Sequence, residues 1–112
     1  IYLAASRALL GRPAMTSDML FSQHPADGIA LHELHELMKD LQCAKWFVNR
    51  KAIDIVDRAL TASGGAGYLS RHPLSRLYRD VRAGPFMQPF SPTEAFEYIG
   101  KVTLGLDPKI EA

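Results

Sequence analysis

Ser63-Gly64-Gly65-Ala66-Gly67-Tyr68, followed by Leu69-Ser70-Arg71-His72-Pro73, is the stretch on which the fold turns. A glycine costs a helix interior about 1 kcal/mol relative to alanine, so this cluster cannot prolong a helix cheaply. Glycine is also the residue that most often closes a helix, and proline at a first helical position gives up no useful hydrogen bond. The stretch therefore reads as the end of one helix, a tight turn and the start of another.

Working upstream, Leu31, Leu34, Met38, Leu41, Lys45, Val48, Ala52, Ile55, Ala59 and Leu60 recur at spacings of three and four, with Trp46 and Phe47 widening the stripe. No proline or glycine interrupts the chain between Ile29 and Ser63. That predicts a helix of about 35 residues and ~50 Å, with a break near Asn49 as the alternative. His24-Pro25 offers its start. Before it, Ile1, Ala5, Ala8 and Leu9 mark a first helix that Gly11-Arg12-Pro13 is expected to stop, leaving Pro13 to His24 irregular. A chain that opens at Ile1 inside a helix reads as a fragment of a larger subunit.

Working downstream, Leu74, Leu77, Tyr78 and Val81 stripe a helix that runs to about Ala83 and ends at Gly84-Pro85. Ser91-Pro92-Thr93-Glu94 has the form of a capping box with proline in the first turn. It opens a last helix whose inner face is expected to be Ala95, Phe96, Ile99, Val102 and Thr103, with a tail from Asp107-Pro108. Sustained strand alternation is absent. Residues 1–112 therefore read as one all-α domain, an antiparallel helical bundle of the four-helix type.

Composition narrows the function classes. Of 112 residues, 47% are apolar and 22% charged, the net charge is +1, and no apolar run reaches the roughly 18–20 residues that span a bilayer. Neither nucleic acid nor a membrane is implied. Cys43 stands alone, so no internal disulfide forms, and a cytoplasmic setting is the default expectation. His32 and His35 are three apart, whereas a zinc-protease helix needs them four apart. They read as a polar face, and Cys43 as an apolar filler. Arg71, Arg76, Arg79 and Arg82 surround Asp80, a pattern suited to ion pairs with neighbouring helices or another subunit. The glycine cluster follows a helix rather than preceding one, unlike a phosphate loop, yet it would let a ligand approach the backbone closely beside Tyr68.

Taken in order, Ala44-Lys45, Gly64-Gly65-Ala66-Gly67-Tyr68, His72-Pro73-Leu74-Ser75-Arg76 and Tyr78-Arg79-Asp80-Val81-Arg82 resemble the carboxy-terminal helical domain of acyl-CoA dehydrogenases. The match covers roughly residues 44 to 105; residues 1 to 43 match only in being helical. The resemblance implies a three-domain flavoprotein subunit that desaturates an acyl-CoA thioester and assembles as a homotetramer or dimer, with another flavoprotein as a possible electron acceptor. It also implies that the glycine turn lies against the adenosine diphosphate half of FAD bound mainly by a neighbouring subunit, a role carried onto Gly64, Gly65 and Gly67. Where the family commonly has glutamine, this chain has Thr61, whose hydroxyl has a shorter reach.

The larger departure concerns the base. Many members place a glutamate in the loop after Arg-Asp to remove the alpha proton of the thioester. Gln88 occupies that position, and an amide cannot take up a proton near neutral pH. The base then lies on a helix outside this chain, or the enzyme uses reduced flavin with oxygen as the related monooxygenases do, or dehydrogenation has been lost. The loop Phe86 to Phe90 would line the flavin or acyl pocket in each case. A freestanding helical interaction module without flavin is the third class of reading.

Overall fold

A computed structural model describes residues 1–24 and 28–109. The expected helix start at Pro25 lies outside the described residues. The elements are α1 (Tyr2–Gln23), α2 (Leu31–Ser63), the one-turn α3 (Gly65–Tyr68), α4 (Pro73–Asp80), a 3-10 helix (Val81–Phe86) and α5 (Pro92–Thr103). Every described element is helical, and four of them are longer than one α-helical turn and of α type.

Helix α2 is the spine. Its 33 residues run unbroken through Asn49, about 50 Å at the rise of an α-helix, and α1, α3, α4, the 3-10 helix and α5 all pack on it. Contacts fix the directions. Tyr2 of α1 meets Lys51 and Arg58 while Arg12 faces Asp40, so α1 runs antiparallel to α2. Phe96 meets Trp46 and Tyr98 meets His35, so α5 does too. The bundle is long and thin. Its principal extents are 55 × 32 × 22 Å and its radius of gyration is 17.5 Å, against about 13 Å for a compact chain of this length.

Helix α1 corrects the expected stop at Gly11. It continues for 22 residues, with Pro13 inside and buried, and the segment to Gln23 is helical rather than irregular. An interior proline removes one ladder bond, but Ser6 and Pro13 are the positions that α1 buries, so packing outweighs the local breaker. The helix after the glycine turn closes at Asp80, and Val81–Phe86 continues as 3-10 through Gly84-Pro85. At α5 the capping box forms as read: Ser91 Oγ accepts from the Glu94 amide at 3.5 Å, and the Ser91 amide donates to Glu94 Oε2 at 2.8 Å.

The core is small. Its buried apolar members are Ile29, Leu37, Ala44, Ile53, Ala95 and Tyr98. Several stripe positions lie elsewhere: Leu31, Leu41, Trp46 and Ile55 on α2, and Phe96 on α5, are exposed. A central helix touched from several sides buries the residues under each neighbour; on α5 the buried aromatic is Tyr98, its ring 5.0 Å from that of Phe90, while Phe96 meets Trp46 and stays half exposed. Leu3, Leu10, Met15, Met19 and Phe21 of α1 are also exposed, with Leu3, Leu10 and Phe21 on one side of the helix and Met15 and Met19 on another at about 100° per residue.

Candidate functional site

The glycine turn contains glycines required for different reasons. Gly64 closes α2 with φ +65° and ψ −153°, a backbone conformation that side chains other than glycine's rarely tolerate. Its amide donates to the Thr61 carbonyl at 3.2 Å. Gly67 is buried, and a Cβ there would stand 2.0 Å from Ser63 Oγ and 3.0 Å from Leu60 Cδ1. It is glycine so that α3 can lie on the last turn of α2.

Gly65 differs from both. Its φ is not positive, and a Cβ there would meet nothing within 4 Å. Nothing among the described residues requires glycine at this position. Gly64 and Gly65 thus offer an exposed strip of backbone, flanked by the Tyr68 ring at 81% exposure. Thr61 Oγ1 donates to the Asp57 carbonyl at 3.1 Å, so toward a ligand it presents lone pairs rather than a proton. The four residues named from the sequence are therefore brought together, but Gly67 faces the protein. Beyond the turn, Tyr68, Ser70, Ser75, Tyr78 and Arg79 line an open depression. Asp80 pairs with Arg76 of its own helix at 3.8 Å rather than with a neighbouring helix, and both side chains are largely solvated, which leaves them open to another subunit.

The second region is the loop between the 3-10 helix and α5. Gly84 seats it: a Cβ there would lie 2.3 Å from Asn49 Oδ1, so a larger residue would force the Asn49 side chain to move. Lys45 Nζ then donates to the carbonyls of Met87 and Phe90, the latter at 2.6 Å. The lysine that figured in the family resemblance is an anchor for the loop carrying Gln88. Gln88 itself is exposed and has no titratable oxygen to offer.

A cavity of about 330 Å³ opens between α2, this loop and α5. Gln42 lines it at 3% exposure, and its Oε1 has no hydrogen-bond partner among the described residues. Leaving a buried acceptor unpaired costs about 1–3 kcal/mol. Its Nε2 reaches only the Met38 sulfur, at 3.5 Å. Sequence reading missed this site. The available signal was Gln42, Trp46 and Arg50 at intervals of four on α2, two polar residues flanking an indole.

The remaining candidates have structural employment. His35 Nδ1 lies 2.7 Å from the Tyr98 hydroxyl, and burial, followed by the charge of Glu36, pushes that phenol's pKa up. Among the described residues no three His, Cys, Asp or Glu side chains gather as a metal site. Cys43 is half-buried, and desolvation, then the Asp40 carboxylate, raises its thiol above the ordinary range, which disfavours the nucleophilic thiolate. No described helix is long and apolar enough to cross a membrane.

Residues 6–88 match the family model described as acyl-CoA dehydrogenase, C-terminal domain. The chain belongs to this family. The domain is 51% identical over 69 residues to an amino sugar nitrososynthase of Streptomyces peucetius, a match covering 62% of this chain and 17% of that protein. It is 52% identical over 71 residues to an L-evernosamine nitrososynthase of a Micromonospora species, covering 63% and 17% respectively. A 3-(aryl)acrylate reductase of Clostridium sporogenes is 48% identical over 44 residues, 39% of this chain and 12% of that one. The crystal structure of a nitrososynthase from Micromonospora carbonacea var. africana superposes with a TM-score of 0.83 at 41% identity, over 94% of this chain and 28% of that chain. The acyl-CoA dehydrogenase C-terminal domain described here thus spans about a sixth of the curated nitrososynthases it matches.

Proposed function

We propose that this domain is the helical wall of an FAD-dependent oxidoreductase that oxygenates the nitrogen of an amino sugar, rather than desaturating an acyl-CoA thioester. The flavin reading rests on Gly65. A glycine that neither backbone conformation nor internal packing demands leaves its backbone open to a flat group from outside the chain. The strip Gly64-Gly65 beside Tyr68 fits the flat, polar adenosine diphosphate half of FAD, with Thr61 accepting at its edge and Gly67 keeping the turn folded. When bound, FAD supplies hydride acceptance or, once reduced, electrons for oxygen.

Gln88 favours oxygenation. Thioester desaturation needs a base for the alpha proton, and the residue at the expected loop position cannot serve. An amine already carries the lone pair that accepts an oxygen atom, so its oxidation has no need of a carboxylate there. One molecule of O2, two electrons from an external hydride donor and two protons convert the amine to a hydroxylamine and water. A second round gives the nitroso group and two waters. The names of the relatives point to the same chemistry.

Acyl-CoA α,β-dehydrogenation, with a flavoprotein as electron acceptor, is the second reading. It requires a base supplied from outside this chain. In either case the exposed apolar residues of α1 support a homo-oligomer, dimer or tetramer, and the cytoplasmic setting remains the proposed one.

The test is a product assay on the full-length protein with FAD. With a hydride donor, oxygen and an amino sugar, mass spectrometry is expected to find the hydroxylamine and nitroso products. An acyl-CoA panel with a dye acceptor is expected to yield no enoyl thioester. Enoyl product together with an unaltered amine would overturn the reading.

A further inference from the structure

The depression beyond the glycine turn is lined by polar groups that the fold itself does not use. Tyr68, Ser70, Ser75, Tyr78 and Arg79 bring four hydroxyls and a guanidinium to a space of about 620 Å³, and no acidic side chain lines it. Small-molecule sites occupy roughly 300–1,000 Å³. Five ion pairs form among the described residues, and Arg79 is in none of them. The one acid on its helix, Asp80, pairs with Arg76 instead. The four hydroxyls make no hydrogen bond among the described residues, whereas those of Thr61 and Ser63, just before the turn, both donate to carbonyls of α2. Arg71 and Arg82 are exposed on either side of α4 in sequence, so the surroundings carry an excess of positive charge.

These groups sort a ligand by chemistry. A guanidinium and several hydroxyls, all able to donate and with no carboxylate among them, call for an acceptor-rich anion. The forked donors of arginine suit a carboxylate or a phosphate. Ser75, Tyr78 and Arg79 stand at i, i+3 and i+4 on one face of α4, while Ser70 comes from the loop before it. Donors arriving from two elements fit the several acceptor oxygens of a phosphate better than the two coplanar oxygens of a carboxylate. The Tyr68 ring, 81% exposed, supplies a flat surface for a base beside the phosphate.

We propose that this depression is a phosphate subsite, in which Arg79, helped by the hydroxyls of Ser70, Ser75 and Tyr78, holds the phosphate groups of a nucleotide. Tyr68 both lines the depression and flanks the Gly64-Gly65 strip, so the two surfaces are continuous. The diphosphate of FAD is one source of such groups, and a separate nucleotide is the other. The subsite goes beyond the flavin reading, because it gives a charged contact to a residue which that reading leaves idle, and it stands or falls separately.

ADP and adenosine, which share everything but the phosphates, are the probes, titrated calorimetrically into the full-length protein freed of flavin. ADP is expected to bind at least tenfold more tightly than adenosine. Arg79→Met should lose most of that preference while binding adenosine as before, and Arg79→Lys, which keeps the charge, should recover part of it. Arg79 is exposed, so neither variant should disturb folding. Quenching of flavin fluorescence then identifies the source. FAD binding weakened about tenfold by Arg79→Met, with riboflavin binding unaffected, assigns the diphosphate of FAD to the subsite. Unchanged FAD binding beside Arg79-dependent ADP binding assigns a separate nucleotide. A protein that takes up no FAD but keeps the Arg79-dependent preference for ADP would defeat the flavin reading and support the subsite. Undetectable ADP binding, equal affinity for ADP and adenosine, or a preference that survives Arg79→Met would overturn the subsite.

Discussion

Lys45 holds Phe90 by its main chain: the ammonium on α2 donates to the Phe90 carbonyl at 2.6 Å, 45 positions later in the chain, and to the Met87 carbonyl alongside. Two contacts from one side chain fix both ends of the segment carrying Gln88. Lys45→Met, which keeps the stem and deletes the donors, should loosen residues 87–90. Hydrogen bonds to charged groups contribute about 1.5–3 kcal/mol when well sheltered, and the partial exposure of this one argues for about 1 kcal/mol. Hydrogen exchange is expected to show lost protection confined to the loop and the start of α5. Unchanged protection would remove the anchoring role.

The glycines of the two turns should respond unequally to substitution. Gly67→Val forces a branched side chain onto Ser63 and Leu60, and Gly84→Ala pushes a methyl into Asn49. Overpacking of this kind costs about 1–3 kcal/mol. Gly65→Ala meets open space and should leave stability within about 0.5 kcal/mol, as for an ordinary surface change. Thermal or denaturant unfolding of the three variants gives the comparison; a Gly65→Ala variant as unstable as Gly67→Val would contradict it.

Acid should release the start of α5. The main-chain bond from Ser91, then its side chain, holds the Glu94 carboxyl below its ordinary value. A carboxyl with a depressed folded pKa contributes stability that is present above the unfolded value, about 4.3, and lost as pH falls through the folded one. Amide protection at residues 91–95 should therefore be constant from neutrality to about pH 5 and decline below pH ~4.3. Glu94→Gln should flatten that decline. A wild-type profile already flat to low pH would show that the capping pair does not form.

Much of the fold was legible because it follows from local chemistry. The uninterrupted α2, its glycine closure, the proline-headed α4 and the α5 capping box each depend on residues within a few positions of one another. The reading of α1 failed at Gly11 and Pro13 because a buried helix face can carry a breaker that a solvated one would not. Tyr98 was overlooked as a core residue because its hydroxyl looks polar in sequence, whereas His35 satisfies it in the fold. Gly64, Gly65 and Gly67 were identified as a group, but their separate reasons needed coordinates. The cavity at Gln42 was invisible, since it is enclosed by α2, the Phe90 loop and the start of α5, elements about 40 to 50 positions apart.

The apolar surface of α1 carries its own expectation. Residues 1–112 prepared alone should self-associate or bind a hydrophobic dye, because Leu3, Leu10, Met15, Met19 and Phe21 are exposed among the described residues. Sedimentation velocity with dye titration decides the matter. A compact monomer that leaves the dye dark would mean that this surface is tolerated by water.

Flavin content of the intact protein tests the central claim most directly. The account predicts a yellow protein with FAD bound stoichiometrically, and a Gly65→Val variant of unchanged helical content that loses FAD at least tenfold more readily on dialysis. A colourless protein that takes up no added FAD, or a Gly65→Val variant that retains it as tightly as the wild type, would contradict the assignment of the Gly64-Gly65 strip.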